Sequence, residues 1–259
     1  MRVRLKLKAL GVGARLPLNS NHQAASLIYK IVGQSSSAFA TELHEAGFMA
    51  ENGRKFKLFA FSRLNPLHRR RVGDELHLQS PEVEWTVSSP VAAFIEHFVS
   101  GLFQSARFKI ARTEFVLAEA ESLPEPRFTE RLKMRALSPI TESLRDAEGR
   151  VRFLTIEENW SEVMQRNLLR KYEALHGRAP EDRRFRWTWD GEYVKEQMRR
   201  GKRVSSLVEI NGEGREAIKV RGWLAPFSVE GSLELIKLGY EAGFGSRNSM
   251  GFGLAEVCP

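Results

Sequence analysis

The sequence predicts an α+β protein of two tandem ferredoxin-like (RRM-like) domains with antiparallel sheets, and three observations carry that expectation. Apolar and basic residues alternate from Met1 to Ala9, apolar residues then recur at helical spacing from Ala24 to Val32, and the alternating strand returns at Arg131 to Ala136. At about 150 residues per domain, a chain of 259 residues is long enough for two cores.

In the first strand Met1, Val3, Leu5, Leu7 and Ala9 face a core, while Arg2, Arg4, Lys6 and Lys8 form a cationic face. Ala24, Leu27, Ile28, Ile31 and Val32 make the buried stripe of a helix, with cap candidates at Asn19 to Asn21. Ser35 to Ser37 cap a second, short helix with Phe39, Leu43 and Ala46 inward, and Gly47 suits its end. Lys55 to Ser62 reads as a phenylalanine-rich strand and Gly73 to Ser88 as a polar hairpin. Ser89 and Pro90 start a helix lined by Val91, Phe94, Ile95, Phe98 and Leu102, and Arg107 to Ala118 is the closing strand. That order is the ferredoxin-like unit. Pro124 and Pro126 mark a polar linker, Glu121 to Glu130, which divides the chain into domains 1–122 and 123–259.

The second half repeats the pattern with additions. Leu132, Met134 and Ala136 alternate with Arg131, Lys133 and Arg135; Trp160, Val163, Met164, Leu168, Tyr172 and Leu175 make a helix ending at Gly177. Strands are expected at Arg184 to Trp189, Val204 to Ile210 and Ala217 to Phe227, then a helix holding Leu233 and Ile236, and a last strand at Phe252 to Val257.

Composition excludes several classes. With 42% hydrophobic residues and no run of about 18 apolar ones, neither disorder nor a membrane span fits. The N-terminus lacks an apolar signal region, so a cytoplasmic protein with no membrane partner is expected. Cys258 is the only cysteine, which rules out an internal disulfide framework and a cysteine-built zinc site. The aspartates, at 74, 146, 182 and 190, lie far apart, and the six histidines show no metal-ligand spacing, so no metal site is expected. The net charge, +8, and a pI near 9.8 favour a polyanionic partner.

The strongest local signal is GYEAGFGSRNSMGFG, with Gly239, Gly243, Gly245, Gly251 and Gly253 around Ser246, Arg247, Asn248 and Ser249. Such a loop lets backbone amides approach a phosphate, or simply packs against a sheet. It has neither Walker nor Rossmann spacing, so no nucleotide cofactor is expected.

This glycine-rich segment, together with LPLNSNHQAASLIY near the start, LHEAGF around His44, KLFAFS at Lys57 to Ser62 and LSPI at Leu137 to Ile140, resembles the CRISPR-associated endoribonucleases that process repeat RNA. These belong to the repeat-associated mysterious protein superfamily of tandem ferredoxin-like domains. The resemblance spans nearly the whole chain in order. It implies metal-independent cleavage of CRISPR precursor RNA within each repeat, leaving 2′,3′-cyclic phosphate and 5′-hydroxyl ends. Repeat RNA is the partner it implies, for a monomer or a homodimer; an inactive RNA-binding member or an effector-complex subunit is the alternative. It places the family's histidine on His44, its tyrosine on Tyr29 and its lysine on Lys57, with Lys55 as the other possibility. Asn21 and His22 also match family positions.

The chemistry suits these residue types. RNA carries its own nucleophile, so cleavage needs a base for the 2′-hydroxyl, an acid for the leaving 5′-oxygen and a cation for the phosphorane. His44 lies near the end of its helix, where the dipole favours positive charge, and is a candidate acid or base. Tyr29 is a candidate base or positioning group, and Lys57 a charge stabiliser. His22 shares a helix side with Tyr29. The cationic strand residues Arg2, Arg4, Arg131, Lys133 and Arg135, the run His68 to Arg71, and Arg183, Arg184 and Arg186 beside Trp187 and Trp189 are candidate RNA contacts.

Overall fold

Strand Arg2–Ala9 buries Val3, Leu5, Leu7 and Ala9, as its alternation dictates. In the computed structural model, which describes residues 1–105, 107–145, 147–210 and 218–258, this strand lies at the centre of an antiparallel sheet. The expected places of Asp146 and Ala217 fall outside the described residues. Strands Thr113–Leu123 and Glu82–Ser88 flank it, and Ala60–Phe61 pairs with the far side of Glu82–Ser88. Counting those four in chain order, the sheet runs 4-1-3-2, the order of a ferredoxin-like unit. Helices α1 (Asn21–Ser35) and α3 (Ala92–Gln104) pack together, and α2 (Ser37–Glu45) packs on α1. They meet closely at Gly101, where a Cβ would sit 1.9 Å from the Ile31 carbonyl oxygen.

The second half repeats the same order. Arg131–Ala136 lies between Pro226–Gly231 and Ala255–Val257, with Phe185–Trp189 beyond Pro226–Gly231. Its two helices are α4 (Trp160–His176) and, beyond the inserted α5 (Gly191–Arg199), α6 (Leu233–Ala242). Hairpins Ser143–Arg145/Val151–Phe153 and Ser205–Ile210/Ile218–Trp223 are further insertions, and the sequence reading missed α5 and the first hairpin. The protein is thus a tandem ferredoxin-like molecule.

Several elements depart from expectation for local reasons. The Lys55 to Ser62 strand is broken into Lys55–Phe56 and Ala60–Phe61, because Leu58 takes φ +50° and turns the chain. Gly73 to Ser88 divides into Glu75–Leu78, which forms a hairpin with the preceding Arg69–Val72, and the sheet strand Glu82–Ser88, whose Val83, Trp85 and Val87 are buried. Arg107 to Ala118 becomes Phe108–Ile110 and Thr113–Leu123, turning at Ala111 (φ +52°). The expected strand to Phe227 ends at Trp223, and Pro226–Gly231 begins anew. Helix α3 starts at Ala92, two residues beyond Pro90; the Ser89 hydroxyl instead accepts from the Val91 amide (3.0 Å) and donates to the Leu58 carbonyl (2.7 Å).

The two cores interlock. Ala50, Phe56 and Leu58 belong to the first half of the chain yet pack in the core of the second, and Phe48 and Val91 touch both cores.

Candidate active site

The site forms where helices α1 and α2 meet the glycine-rich segment of the second half. Tyr29, on the flank of the buried α1 stripe, is half-buried, and its ring meets that of His44 edge-on at 5.2 Å between centroids and an 82° interplanar angle. The other side of the phenol is walled by Phe59 at 5.7 Å, itself stacked on Phe94 at 4.7 Å. His44 is exposed on the last turn of α2, so the geometry joins a held phenol to an open imidazole.

Both candidate lysines reach the same helix end. The Lys57 ammonium donates to the His44 carbonyl and the Lys55 ammonium to the Glu45 carbonyl at 3.1 Å, satisfying orphan acceptors of α2. Gly47 makes this approach possible: at φ +60° it turns the chain back, and a Cβ there would lie 2.5 Å from the Phe56 carbonyl oxygen and 3.2 Å from the Lys57 stem. Partial burial, and then the charge of Lys55, draws the Lys57 ammonium below the ordinary lysine value. Burial pushes the Tyr29 phenol up to about 12, with a hydrogen bond to Ser249 acting the other way.

Ser249 comes from the glycine-rich segment, which is less a phosphate cradle than a packed knot. Gly239, Gly243, Gly245, Gly251 and Gly253 are all buried. A Cβ on Gly239 would lie 2.1 Å from the Phe244 ring, and one on Gly253 2.1 Å from the Phe244 carbonyl oxygen. Many of the amides point inward: Phe244 donates to Gly253 (2.8 Å), Ser246 to Thr141 (2.9 Å) and Gly253 to Pro139 (2.9 Å). Ser246 and Asn248 are buried as well. From Gly243 to Gly253 the polar side chains left at the surface are the half-buried Arg247 and Ser249. Arg247 holds a left-handed backbone, φ +59° and ψ +31°, with its guanidinium 5.1 Å from the centre of the Phe153 ring. The knot is docked on α1 by Asn21, whose Nδ2 donates to the carbonyls of Met250 (3.1 Å) and Gly251 (2.9 Å); the neighbouring His22 is exposed.

The cations of the two strand faces find partners within the fold. Each faces glutamates on the next strand: Lys6 pairs with Glu119 (2.7 Å), Arg4 with Glu121 (3.6 Å) and Arg131 with Glu230 (2.8 Å), while Arg135 pairs with Glu256. Lys133 bonds Asp190 at 2.9 Å. Arg2 is not a surface cation at all. It is 3% exposed, stacks on Tyr240 at 3.3 Å, and donates to the carbonyls of Tyr240 and, at 2.6 Å, Ala255, tying the first strand to the second half. Trp187 is likewise buried, and Arg184 is paired with Asp182 at 2.9 Å. Arg70 and Arg71 stand on an exposed hairpin. A cleft of about 640 Å³ runs between the sheets, with Arg4, Arg63, Arg69 and Arg135 on its walls.

Among the described residues no group of three or more His, Cys, Asp or Glu side chains converges to hold a metal ion, and no helix is long and apolar enough to cross a membrane. Sequence reading missed Lys171, and it placed Ser249 among the polar groups of the loop without linking it to Tyr29. Ser249 lies 220 residues beyond Tyr29 in the chain, and only the fold brings the turn that holds it onto α1.

His44, Tyr29 and Lys57 thus stand together on a paired ferredoxin-like frame. Residues 15–121 match the family described as CRISPR-associated protein Cas6, N-terminal, and residues 123–257 that described as CRISPR associated protein Cas6, C-terminal. The chain belongs to the Cas6 family. It is 31% identical to the CRISPR-associated endoribonuclease Cas6 1 of Methanocaldococcus jannaschii over 98% of this chain and 91% of that one. It is 25% identical to the CRISPR-associated endoribonuclease Cas6 of Pyrococcus furiosus over 94% of this chain and 84% of that one. A solved Cas6 structure aligns with a TM-score of 0.77 at 27% identity, covering 100% of this chain and 99% of that one.

Proposed function

We propose that this chain cuts CRISPR precursor RNA within its repeats, without a metal, by attack of the 2′-hydroxyl on the adjacent phosphate. The products are a 2′,3′-cyclic phosphate and a 5′-hydroxyl. The observation that carries the reading is the edge-on Tyr29–His44 pair with the Lys57 ammonium at the His44 carbonyl. His44 is the open, titratable group and serves as proton donor or acceptor at the reacting oxygens. Tyr29 keeps its proton, since burial holds its phenol at about 12, and so positions and donates rather than acting as base. Lys57, the nearer of the two lysines to His44, turns from the helix carbonyl toward the phosphorane charge when RNA arrives. The junction of the two domains is placed at 122/123. RNA contacts are assigned to Arg247 and His22 beside the site and to Arg63 and Arg69 along the cleft. The partner is repeat RNA.

The test is incubation with repeat RNA in EDTA, beside the same RNA carrying one 2′-deoxy nucleotide at the cut. Cleavage of the ribose substrate alone, with a cyclic phosphate end, supports the reading. Binding of both RNAs with cleavage of neither identifies a silent binder, and cleavage only on addition of metal overturns the mechanism.

A further inference from the structure

Two polar residues interrupt the buried face of α4: Asn167 is 2% and Lys171 1% exposed. An ammonium removed from water is costly unless bonds and counter-charge compensate it. Lys171 has all three of its donors placed, on the Gly243 carbonyl (2.6 Å), the Gly245 carbonyl (2.8 Å) and Asn248 Oδ1 (2.7 Å). Asn248 Nδ2 in turn donates to the carbonyls of Phe244 and Phe252, both at 3.1 Å. One ammonium therefore gathers the carbonyls of the glycine knot on its inner side and fixes the amide that closes it.

What flanks Asn248 is the part of the knot that reaches the candidate site. On one side Ser249 lies in the short turn Asn248–Met250, which packs on α1, the helix of Tyr29, and on the other Arg247 is held left-handed over Phe153. The charged groups that face Lys171 are Glu142, 3% exposed in the segment after strand Arg131–Ala136, and Arg54, in the loop before Lys55. Burial draws the Lys171 ammonium below the ordinary lysine value; Glu142 opposes that and Arg54 adds to it.

We propose that Lys171 is a positioning residue of the cleavage site, its three bonds setting the glycine knot so that Ser249 and Arg247 are aimed at Tyr29 and at the RNA backbone. The assignment rests on the RNA-cleavage reading and deepens it. Lys171 touches no reacting atom, so its effect passes through Asn248 and the residues on either side of it.

Single-turnover cleavage and repeat-RNA affinity of the full chain, Lys171→Met and Glu142→Gln are compared from about pH 6 to about pH 9, with amide hydrogen exchange over residues 243–253. Lys171→Met is expected to melt cooperatively, to exchange faster across the knot and to lose roughly ten- to a hundredfold in rate with little change in affinity. Glu142→Gln is expected to match the unaltered chain in acid and to lose rate at a lower pH, because the lysine then releases its proton more readily. A folded Lys171→Met with an unchanged rate overturns the proposal, whether or not its exchange is faster. Should that variant fail to fold, the Glu142→Gln profile decides, and its superposition on the unaltered profile overturns the proposal. An unaltered chain that binds RNA without cutting it sinks the activity and this role together, an outcome seen before any variant is made.

Discussion

At the scale of single residues, the proposed reaction divides the labour of proton transfer between an open imidazole and a half-buried phenol. His44→Ala is expected to reduce single-turnover cleavage by about 10²- to 10⁴-fold with repeat-RNA affinity nearly unchanged, which a paired cleavage and binding assay checks. Tyr29→Phe is expected to slow cleavage by a factor that stays constant from about pH 6 to about pH 9, because a phenol pushed up to about 12 remains protonated throughout. A factor that changes with pH in that window would mean the phenol titrates and serves as base. The same shift has a sign for stability. The folded phenol holds its proton more tightly than the unfolded one, so this contribution is intact below the ordinary value of 10 and is lost as pH rises through about 12. Tyr29 and His44 could be found in the sequence through the family resemblance, since helical periodicity by itself leaves His44 a surface histidine and Tyr29 a residue at the border of the core. Lys171 could not, since a lysine on a helix reads as solvated until the carbonyls of a distant glycine loop are seen around it.

Among the elements, strands and the glycine segment show where one-dimensional reading stops. Alternation at Arg2–Ala9 and Arg131–Ala136 fixed which face is buried, but strand register supplies the glutamates that neutralise the other face. Arg131→Gln is therefore expected to leave the slope of log affinity against log salt unchanged, whereas Arg247→Gln lowers it by about one contact's worth, roughly 0.7 for single-stranded RNA, in a salt-titrated binding assay. Glu82–Ser88 was hidden inside a polar hairpin because its partner glutamates break up the apolar run, although Val83, Trp85 and Val87 keep strict alternation. The break at Leu58 was invisible because a leucine gives no hint of a left-handed backbone. Glycines carry a different signal. Gly101→Ala drives a methyl into the Ile31 carbonyl of the neighbouring helix and is expected to cost about 1–3 kcal/mol, measured by denaturant unfolding.

At the scale of the whole molecule the ferredoxin-like repeat was readable from two matching strands, while α5 and the first inserted hairpin were not, because α5 is short and largely polar, with Val194 its one buried residue, and the hairpin strands are three residues each. The halves are also joined more tightly than a linker of prolines suggests. Arg2 binds two carbonyls across the junction, and Arg2→Leu, which strands those acceptors, is expected to cost about 1–3 kcal/mol and to be seen as a lowered midpoint of chemical unfolding. A hydrophobic tongue, Ala50, Phe56 and Leu58, reaches from the first half into the core of the second. Among the described residues these contacts oppose movement of one half against the other, so in the proposed reaction the protein acts as a stiff mould. Whatever bending, unstacking or unpairing places the scissile phosphate in line has to be undergone by the RNA, and repeats that resist such deformation would be poor substrates even with every contacted base intact.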